Sequence, residues 1–406
     1  MSITPVANLD RVKQHNLARL FKIIVEYGLI SRTQLADVSK MAAGSVTKLT
    51  RLLIEQGLVH EVDHIASERG RKAILLAPKS DDIQVLAARA DRDFIYIGLC
   101  DLSGNLLHRI SVPLKASTEK AFVAQITKTL QRFLDSQKSM IKHIIGLGIT
   151  MTGIVSPEQK TVFAMPKIHI NQLKLADILE KELNLPCHLN NFSSAMALAE
   201  KQVGASFHAE NSLFVEVHNE VSAGLIVNNR LVSNLGVGEI GHIQIDPQGK
   251  LCECGNYGCL ETLVSNDAIV ANYCKQAELP NKNKVTIQTI LELADAADEC
   301  AISVLNEAAQ HLGSALSNAV NLLRPEVIII AGEITQAWSI IEPTLQLQLT
   351  SKSLQIEGVK QVTLLRSELY ESPWYSGYAL VREALLSGEL LPNLLTEEQP
   401  IDMSKF

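Results

Sequence analysis

One histidine and three cysteines within eighteen residues constrain this chain more than any other feature: Glu239-Ile240-Gly241-His242 is followed by Cys252-Glu253-Cys254-Gly255-Asn256-Tyr257-Gly258-Cys259 and closes on Glu261. An imidazole and three thiols are the soft donors that a tetrahedral Zn2+ ion prefers. A C-x-C-x4-C run with a histidine ten residues upstream reads as a loop folded back on one ion, its glycines permitting the reversal, rather than as thiols in a core. The predicted ligands are His242, Cys252, Cys254 and Cys259. Glu239 and Glu261 flank them, so an ion there would fix polar groups suited to hydrogen-bonding hydroxyls. The other four of the seven cysteines, Cys100, Cys187, Cys274 and Cys300, are scattered. That is no disulfide framework, and it points to a reducing compartment.

At 406 residues the chain is long enough for two or three folding units. Its first ten residues, MSITPVANLD, lack an apolar signal core, and no stretch approaches the roughly twenty uncharged apolar residues of a membrane span. A cytoplasmic protein without membrane insertion is expected. The net charge of -7 is unevenly spread: residues 1–80 carry twelve Lys plus Arg against seven Asp plus Glu, while the rest carry 25 against 37. A basic module on an acidic body is what a phosphate-contacting domain joined to a different kind of domain would show.

Within the basic module, apolar residues at 17, 20, 21, 24 and 25 give a helix over Val12 to Tyr27, ended by Gly28. Ser31 is placed to cap a second helix, Arg32 to Ser39. A third starts at Gly44-Ser45, runs through Val46 to Gln56 and stops at Gly57. Helix, tight turn and helix form a helix-turn-helix. The exposed positions of the third helix, Ser45, Thr47, Lys48 and Arg51, are hydroxyls and cations suited to base edges and phosphates in a major groove. Two strands, Leu58 to Ile65 and Ala73 to Ala77, would form a wing whose tip carries Arg69, Arg71 and Lys72, placed for backbone or minor-groove contact.

From residue 81 onward, β-rich runs (Phe94 to Cys100, Ile144 to Thr150, Leu213 to Val217, Val327 to Ile330) alternate with helical stretches (Thr118 to Gln137, Ala301 to Leu323), which describes an α/β body. The segment Ala42-Ala43-Gly44-Ser45-Val46-Thr47-Lys48, the motif Gly238-Glu239-Ile240-Gly241-His242, the cysteine knuckle through Glu261, and Asn321-Leu322-Leu323-Arg324-Pro325-Glu326-Val327 together resemble the ROK family of sugar kinases and repressors, and specifically its winged-helix repressors of Mlc and NagC type. The resemblance covers essentially the whole chain. It implies an N-terminal winged helix-turn-helix domain over 1–80 and two actin-like, ribonuclease H-like lobes. These are placed at 81–195, with C-terminal helices of 385–406 packing on that lobe, and at 196–384, with the zinc knuckle and the oligomer interface. It also implies that Asn191, Glu239, His242 and Glu261 match positions contacting sugar hydroxyls.

Departures from the kinase pattern carry the functional reading. The Asp-x-Gly-Gly-Thr phosphate turn of the kinases corresponds to Arg89-Ala90-Asp91-Arg92-Asp93, which has two carboxylates and no glycine. The second turn, Gly-Thr-Gly in the kinases, corresponds to Glu220-Val221-Ser222. The general base, an Asp two residues before the second Asn of an Asn-Asp-x-Asn-Ala segment, is replaced by Phe192, which accepts no proton. ATP-dependent sugar phosphorylation, the competing function, is therefore not expected, and loss of that carboxylate would leave at most a low-affinity site for a sugar or sugar phosphate. The expected protein is not an enzyme. It is a homodimeric or tetrameric repressor of sugar uptake and utilisation genes that binds operator DNA. Within the family, the spoiled turn and Phe192 favour Mlc-type control, in which the dephosphorylated cytoplasmic domain of a glucose phosphotransferase transporter sequesters the repressor. Ile330-Ala331-Gly332-Glu333-Ile334-Thr335 and Arg366-Ser367-Glu368-Leu369 lean instead to NagC-type induction by N-acetylglucosamine 6-phosphate.

Overall fold

The computed structural model describes residues 9–64, 73–165, 168–279, 285–358 and 360–392. They fall into two compact units, one within Met1–Gly153, Glu158–Leu189 and Gly377–Phe406, the other Ile154–Pro157 and Asn190–Ser376.

The first unit opens with α1 (Leu9–Tyr27), β1 (Ile30–Ser31), α2 (Arg32–Ser39), α3 (Ala43–Glu55), β2 (Val59–His64) and β3 (Ala73–Pro78). Leu17, Leu20, Phe21 and Ile24 of α1 and Val46, Leu49 and Leu53 of α3 are buried, so the apolar period read from sequence is the face that packs; burying each such side chain contributes about 1.5–3 kcal/mol. Ser31 caps α2 in a capping box with Gln34, satisfying donors that a helix start leaves orphaned. Lys40, in the left-handed region at φ 57°, ends α2 and begins the tight turn. Strands order β1-β3-β2, all antiparallel. The pair β2 and β3 is the expected wing, and β1 adds a third strand that sequence pattern had not indicated. The wing tip with Arg69, Arg71 and Lys72 lies outside the described residues.

The same unit continues with β4 (Ile83–Ala90), β5 (Phe94–Asp101), β6 (Leu106–Pro113), α4 (Glu119–Ser136) and β7 (His143–Met151); after β8 (Ile154–Ser156), which belongs to the second unit, it resumes with β9 (Thr161–Ala164), α5 (Leu175–Leu183) and β10 (Cys187–Asn191), whose last two residues pass into the second unit. The sheet order is β10-β7-β4-β5-β6, with β4 antiparallel to β5 and parallel to β7. The second unit holds α6 (Phe192–Val203), β11 (Ser212–Val217), β12 (Val221–Val227), β13 (Arg230–Leu231), a 3-10 turn at Ile240–His242, α7 (Glu261–Val264), α8 (Asn266–Gln276), α9 (Ile287–Asp295), α10 (Glu299–Leu323), β14 (Val327–Ala331), α11 (Trp338–Lys352) and β15 (Thr363–Arg366). Its sheet order is β13-β12-β11-β14-β15, with β11 antiparallel to β12 and parallel to β14.

Each sheet therefore places its first strand centrally, its hairpin partners on one side and two later strands on the other, with a long helix (α4, α10) ahead of the fourth strand. This repeat is the expected pair of actin-like α/β lobes following a winged helix. The chain passes briefly through the second unit at Ile154–Pro157 and then runs in it from Asn190 to Ser376. The last helix, α12 (Trp374–Ser387), returns to the first unit, where the buried Tyr378 hydroxyl donates to the Leu102 carbonyl at 2.7 Å. No helix among the described residues is long and apolar enough to cross a membrane.

Candidate metal centre and DNA-reading helix

Two features of the second unit assemble the cysteine knuckle. Gly238, at φ 94°, lies so close to β12 that a Cβ there would collide with the Ala223 carbonyl, and the Ala223 amide in turn donates to the Gly238 carbonyl at 2.7 Å. That close approach, open only to glycine, sets the 3-10 turn carrying Glu239 and His242 against the strand edge. The knuckle itself is closed by backbone bonds, Cys252 N to Asn256 O at 2.7 Å and Gly255 N to Cys252 O at 2.9 Å.

The donor atoms of His242, Cys252, Cys254 and Cys259 consequently lie within 4.8 Å of one another. Cys252 Sγ is 3.6 Å from His242 Nδ1, and Cys254 Sγ is 3.6 Å from Cys259 Sγ. A tetrahedral ion with metal–sulfur bonds of ~2.3 Å separates neighbouring sulfurs by about 3.8 Å, so the four donors fit one metal ion. Burial pushes the Cys259 thiol up to about 12, whereas the Asn256 amide holds the Cys254 thiol below its ordinary value. A cation is what would draw the proton from a thiol placed like Cys259.

With Nδ1 toward the thiols, His242 turns Nε2 to Glu239 Oε2, 4.0 Å away, a charge contact beyond hydrogen-bond distance on the side of the ring where a carboxylate can orient a metal-binding imidazole. Glu261 accepts from the Val221 amide at 3.0 Å. Burial raises both carboxyls; His242 opposes that rise in each, with the Val221 amide also opposing it in Glu261. Glu239, His242 and Glu261 are thus brought together. Asn191 is engaged otherwise: it caps α6, its side-chain oxygen accepting from the Ser194 amide at 2.8 Å.

On α3, Ser45, Thr47, Lys48 and Arg51 are all exposed, with Arg51 carrying an 81% exposed side chain and a surface contact to Glu55 at 3.4 Å. Thr47 spends its hydroxyl proton on the Ala43 carbonyl at 2.9 Å, leaving the oxygen able to act only as an acceptor toward DNA. Sequence reasoning missed Arg32. Its guanidinium bonds Glu61 at 2.7 Å and Thr50 at 3.2 Å, bracing the start of α2 against α3 and β2; an exposed arginine at a helix start gives no sequence signal of such a role.

The ROK family model matches residues 86–382. The chain belongs to the ROK family. It is 37% identical over 398 residues to the DNA-binding transcriptional dual regulator NagC of Escherichia coli K12, covering 96% of this chain and 98% of that one. It is 28% identical over the same coverage to the DNA-binding transcriptional repressor Mlc of that organism. Among solved structures it is similar to a ROK family transcriptional regulator described as a homologue of E. coli Mlc, with a TM-score of 0.87 and 33% identity over 95% of this chain and 99% of that one. Identity is higher to NagC, opposite to the order of preference that the substituted turns suggested.

The segments read from sequence as altered phosphate turns and an altered base position have their polar groups engaged within the protein. Arg89 and Asp91 form an ion pair at 3.0 Å, and Asp91 also accepts from the Arg92 amide at 2.6 Å. The Val221 amide of the second turn is taken by Glu261, and the Ser222 hydroxyl lies 2.6 Å from that of Ser193. Phe192 is 2% exposed and meets Tyr370 edge-on at a centroid distance of 6.0 Å, so the residue read as replacing the base is part of the core. Glu216, buried nearby, accepts from Ser193 and Tyr370 at 3.0 and 3.2 Å.

Proposed function

We propose that this ROK protein is a DNA-binding transcriptional repressor of sugar uptake and utilisation genes, without kinase activity. The observation that carries the reading is α3: its apolar face is buried while Ser45, Thr47, Lys48 and Arg51 stand exposed on a basic module joined to a ROK body whose base position is a buried phenylalanine. Two winged helices from a dimer would read a two-fold operator, with Arg69, Arg71 and Lys72 on the backbone. Zinc is the proposed ion at His242, Cys252, Cys254 and Cys259. When bound it supplies folding free energy, and Glu239 fixes the His242 ring that holds it.

For control, identity over the whole chain favours an amino-sugar inducer of the NagC type acting at Glu239, His242 and Glu261. A second reading, Mlc-type sequestration by a dephosphorylated glucose transporter domain, is favoured by the engaged second turn, where Glu261 and Ser193 already occupy the groups a phosphate would use. Operator titration of the purified protein tests both layers. Arg51→Glu should weaken binding strongly and flatten its salt dependence by about one unit of slope; unchanged binding would remove α3 as the reader. Release of wild type by N-acetylglucosamine 6-phosphate supports the first mode of control, and release by the transporter domain alone supports the second.

A further inference from the structure

At the end of the second sheet where β14 and β15 begin lies a cavity of about 460 Å³, within the ~300–1,000 Å³ typical of small-molecule sites. Val320, Leu349 and Val362 give it an apolar wall, and Arg324, Lys360 and Ser353 add polar groups. It is remote in the strand order from the knuckle, whose residues adjoin β12, and the proposed function does not use it.

Three features make it more than a surface depression. Ser353 is 9% exposed and its Oγ has no hydrogen-bond partner, an omission that buried hydroxyls ordinarily avoid. Lys360 has no ion-pair partner among the described residues, and Arg324 reaches only the Leu354 carbonyl, at 3.3 and 3.5 Å. The one carboxylate in the wall, Glu326, is partly spent: its Oε1 accepts from the amides of Glu210 and Asn211 at 2.9 and 3.0 Å. The cavity thus offers two cations and an unsatisfied hydroxyl beside aliphatic carbon.

We propose that this cavity binds a small organic anion, its phosphate or carboxylate held by Arg324 and Lys360, its body against Val320, Leu349 and Val362, and one of its oxygens paired with Ser353. Both anion types share that chemistry, and the probes separate them. The proposal stands independently of the control mode assigned to the knuckle region.

Calorimetric titration of the full chain with glucose 6-phosphate, phosphoenolpyruvate and inorganic phosphate tests it. At least one organic anion should bind, and bind more tightly than inorganic phosphate. Lys360→Glu should weaken that binding about tenfold or more, since attraction becomes repulsion. Arg324→Asn should act in the same direction; Asn tolerates the left-handed conformation that residue 324 holds at φ 47°. Ser353→Ala should cost a smaller factor, and Glu239→Gln none. Thermal melts establish that each variant remains folded. The proposal is overturned if neither organic anion binds in the millimolar range, if inorganic phosphate binds as well as both, or if binding is lost with Glu239→Gln while surviving Lys360→Glu.

Discussion

The two sheets share a strand order, yet the hairpin turns that follow their central strands are closed in opposite ways. Between β4 and β5 the turn is closed mainly by near neighbours: Asp91 N donates to Phe94 O at 2.8 Å, Arg92 N donates to the Asp91 carboxylate, and that carboxylate pairs with Arg89. Between β11 and β12 the turn is completed from far along the chain. Glu261 takes the Val221 amide, Glu333 takes His218 Nδ1 at 2.7 Å, and Asn266 donates its amide to the His218 carbonyl at 2.9 Å. Both turns were read from sequence as altered phosphate loops, and both have polar groups engaged within the protein. The bonds named for the first join near neighbours in sequence, with the Leu114 amide adding one to the Asp93 carbonyl, whereas the second, beside its local bond from the His218 amide to the Glu220 carbonyl, also takes bonds from residues that follow the donor cluster.

Metal removal is the strongest way to break this contrast. Structural zinc contributes apparent binding free energies of roughly 10–16 kcal/mol in zinc-finger peptides, so chelation, or Cys259→Ser at a fully buried donor, should exceed any single side-chain effect. The expected result is faster hydrogen exchange at the Val221 amide and a lower melting transition for the second unit, with the Asp91 and Arg92 amides unchanged. Equal acceleration at both turns would mean that the second is no more dependent on the knuckle than the first. Next in size is Asp91→Ala. The Arg89 side chain is buried and that of Asp91 is 16% exposed, so removing Asp91 should cost up to about 3 kcal/mol, the lower end for a buried pair, read as a lowered denaturation midpoint, and replacing Arg89 by Met in the same chain should recover part of it. A surface-like loss below about 0.5 kcal/mol would show that the first turn is held by something other than the pair.

The contrast also explains which parts were legible in sequence. The helix-turn-helix was readable because its signals are local: Ser31 with Gln34, the apolar period of α3, and Gly57 after it. The donor cluster was readable because His242 and the three cysteines lie within one short segment with ligand spacing. The bonds that complete the second turn were not, because Val221 and Glu261, or His218 and Glu333, are joined only by the folded sheet and no spacing rule links them. β1 is two residues long, too short to show an alternating pattern. Asn191 also had a local signal of its own: an Asn ahead of a helix, accepting from the amide three residues on, is an N-cap, a role that leaves its side-chain NH2 free of that bond. Phe192 was read from sequence as replacing a base; its packing on Tyr370 came only from the fold.

A smaller change tests the second turn alone. Glu261→Ala removes the acceptor of the Val221 amide, and a hydrogen bond to a charged group is worth about 2 kcal/mol. Exchange at Val221 should rise accordingly while the donor atoms of the knuckle stay in place, which metal analysis of the variant checks. If Val221 exchange is unchanged, another group satisfies that amide and the long-range closure is misassigned.

The smallest expected effect comes from acid. Burial pushes the Glu333 carboxyl up, but hydrogen bonds from His218 and Asn266 and the His218 charge more than offset it, leaving the group below its ordinary value of 4.5. A depressed folded-state value means that the unfolded chain takes up the proton first as pH falls. The stabilisation is therefore fully present above about 4.5 and drains away as pH drops through the lower folded value. Wild type should lose second-unit melting temperature more steeply over that acid window than Glu333→Gln, which cannot titrate there. Parallel slopes for the two proteins would mean that Glu333 closes the second turn through neutral hydrogen bonding alone, and the turn would then resist acid as long as the sheet around it does.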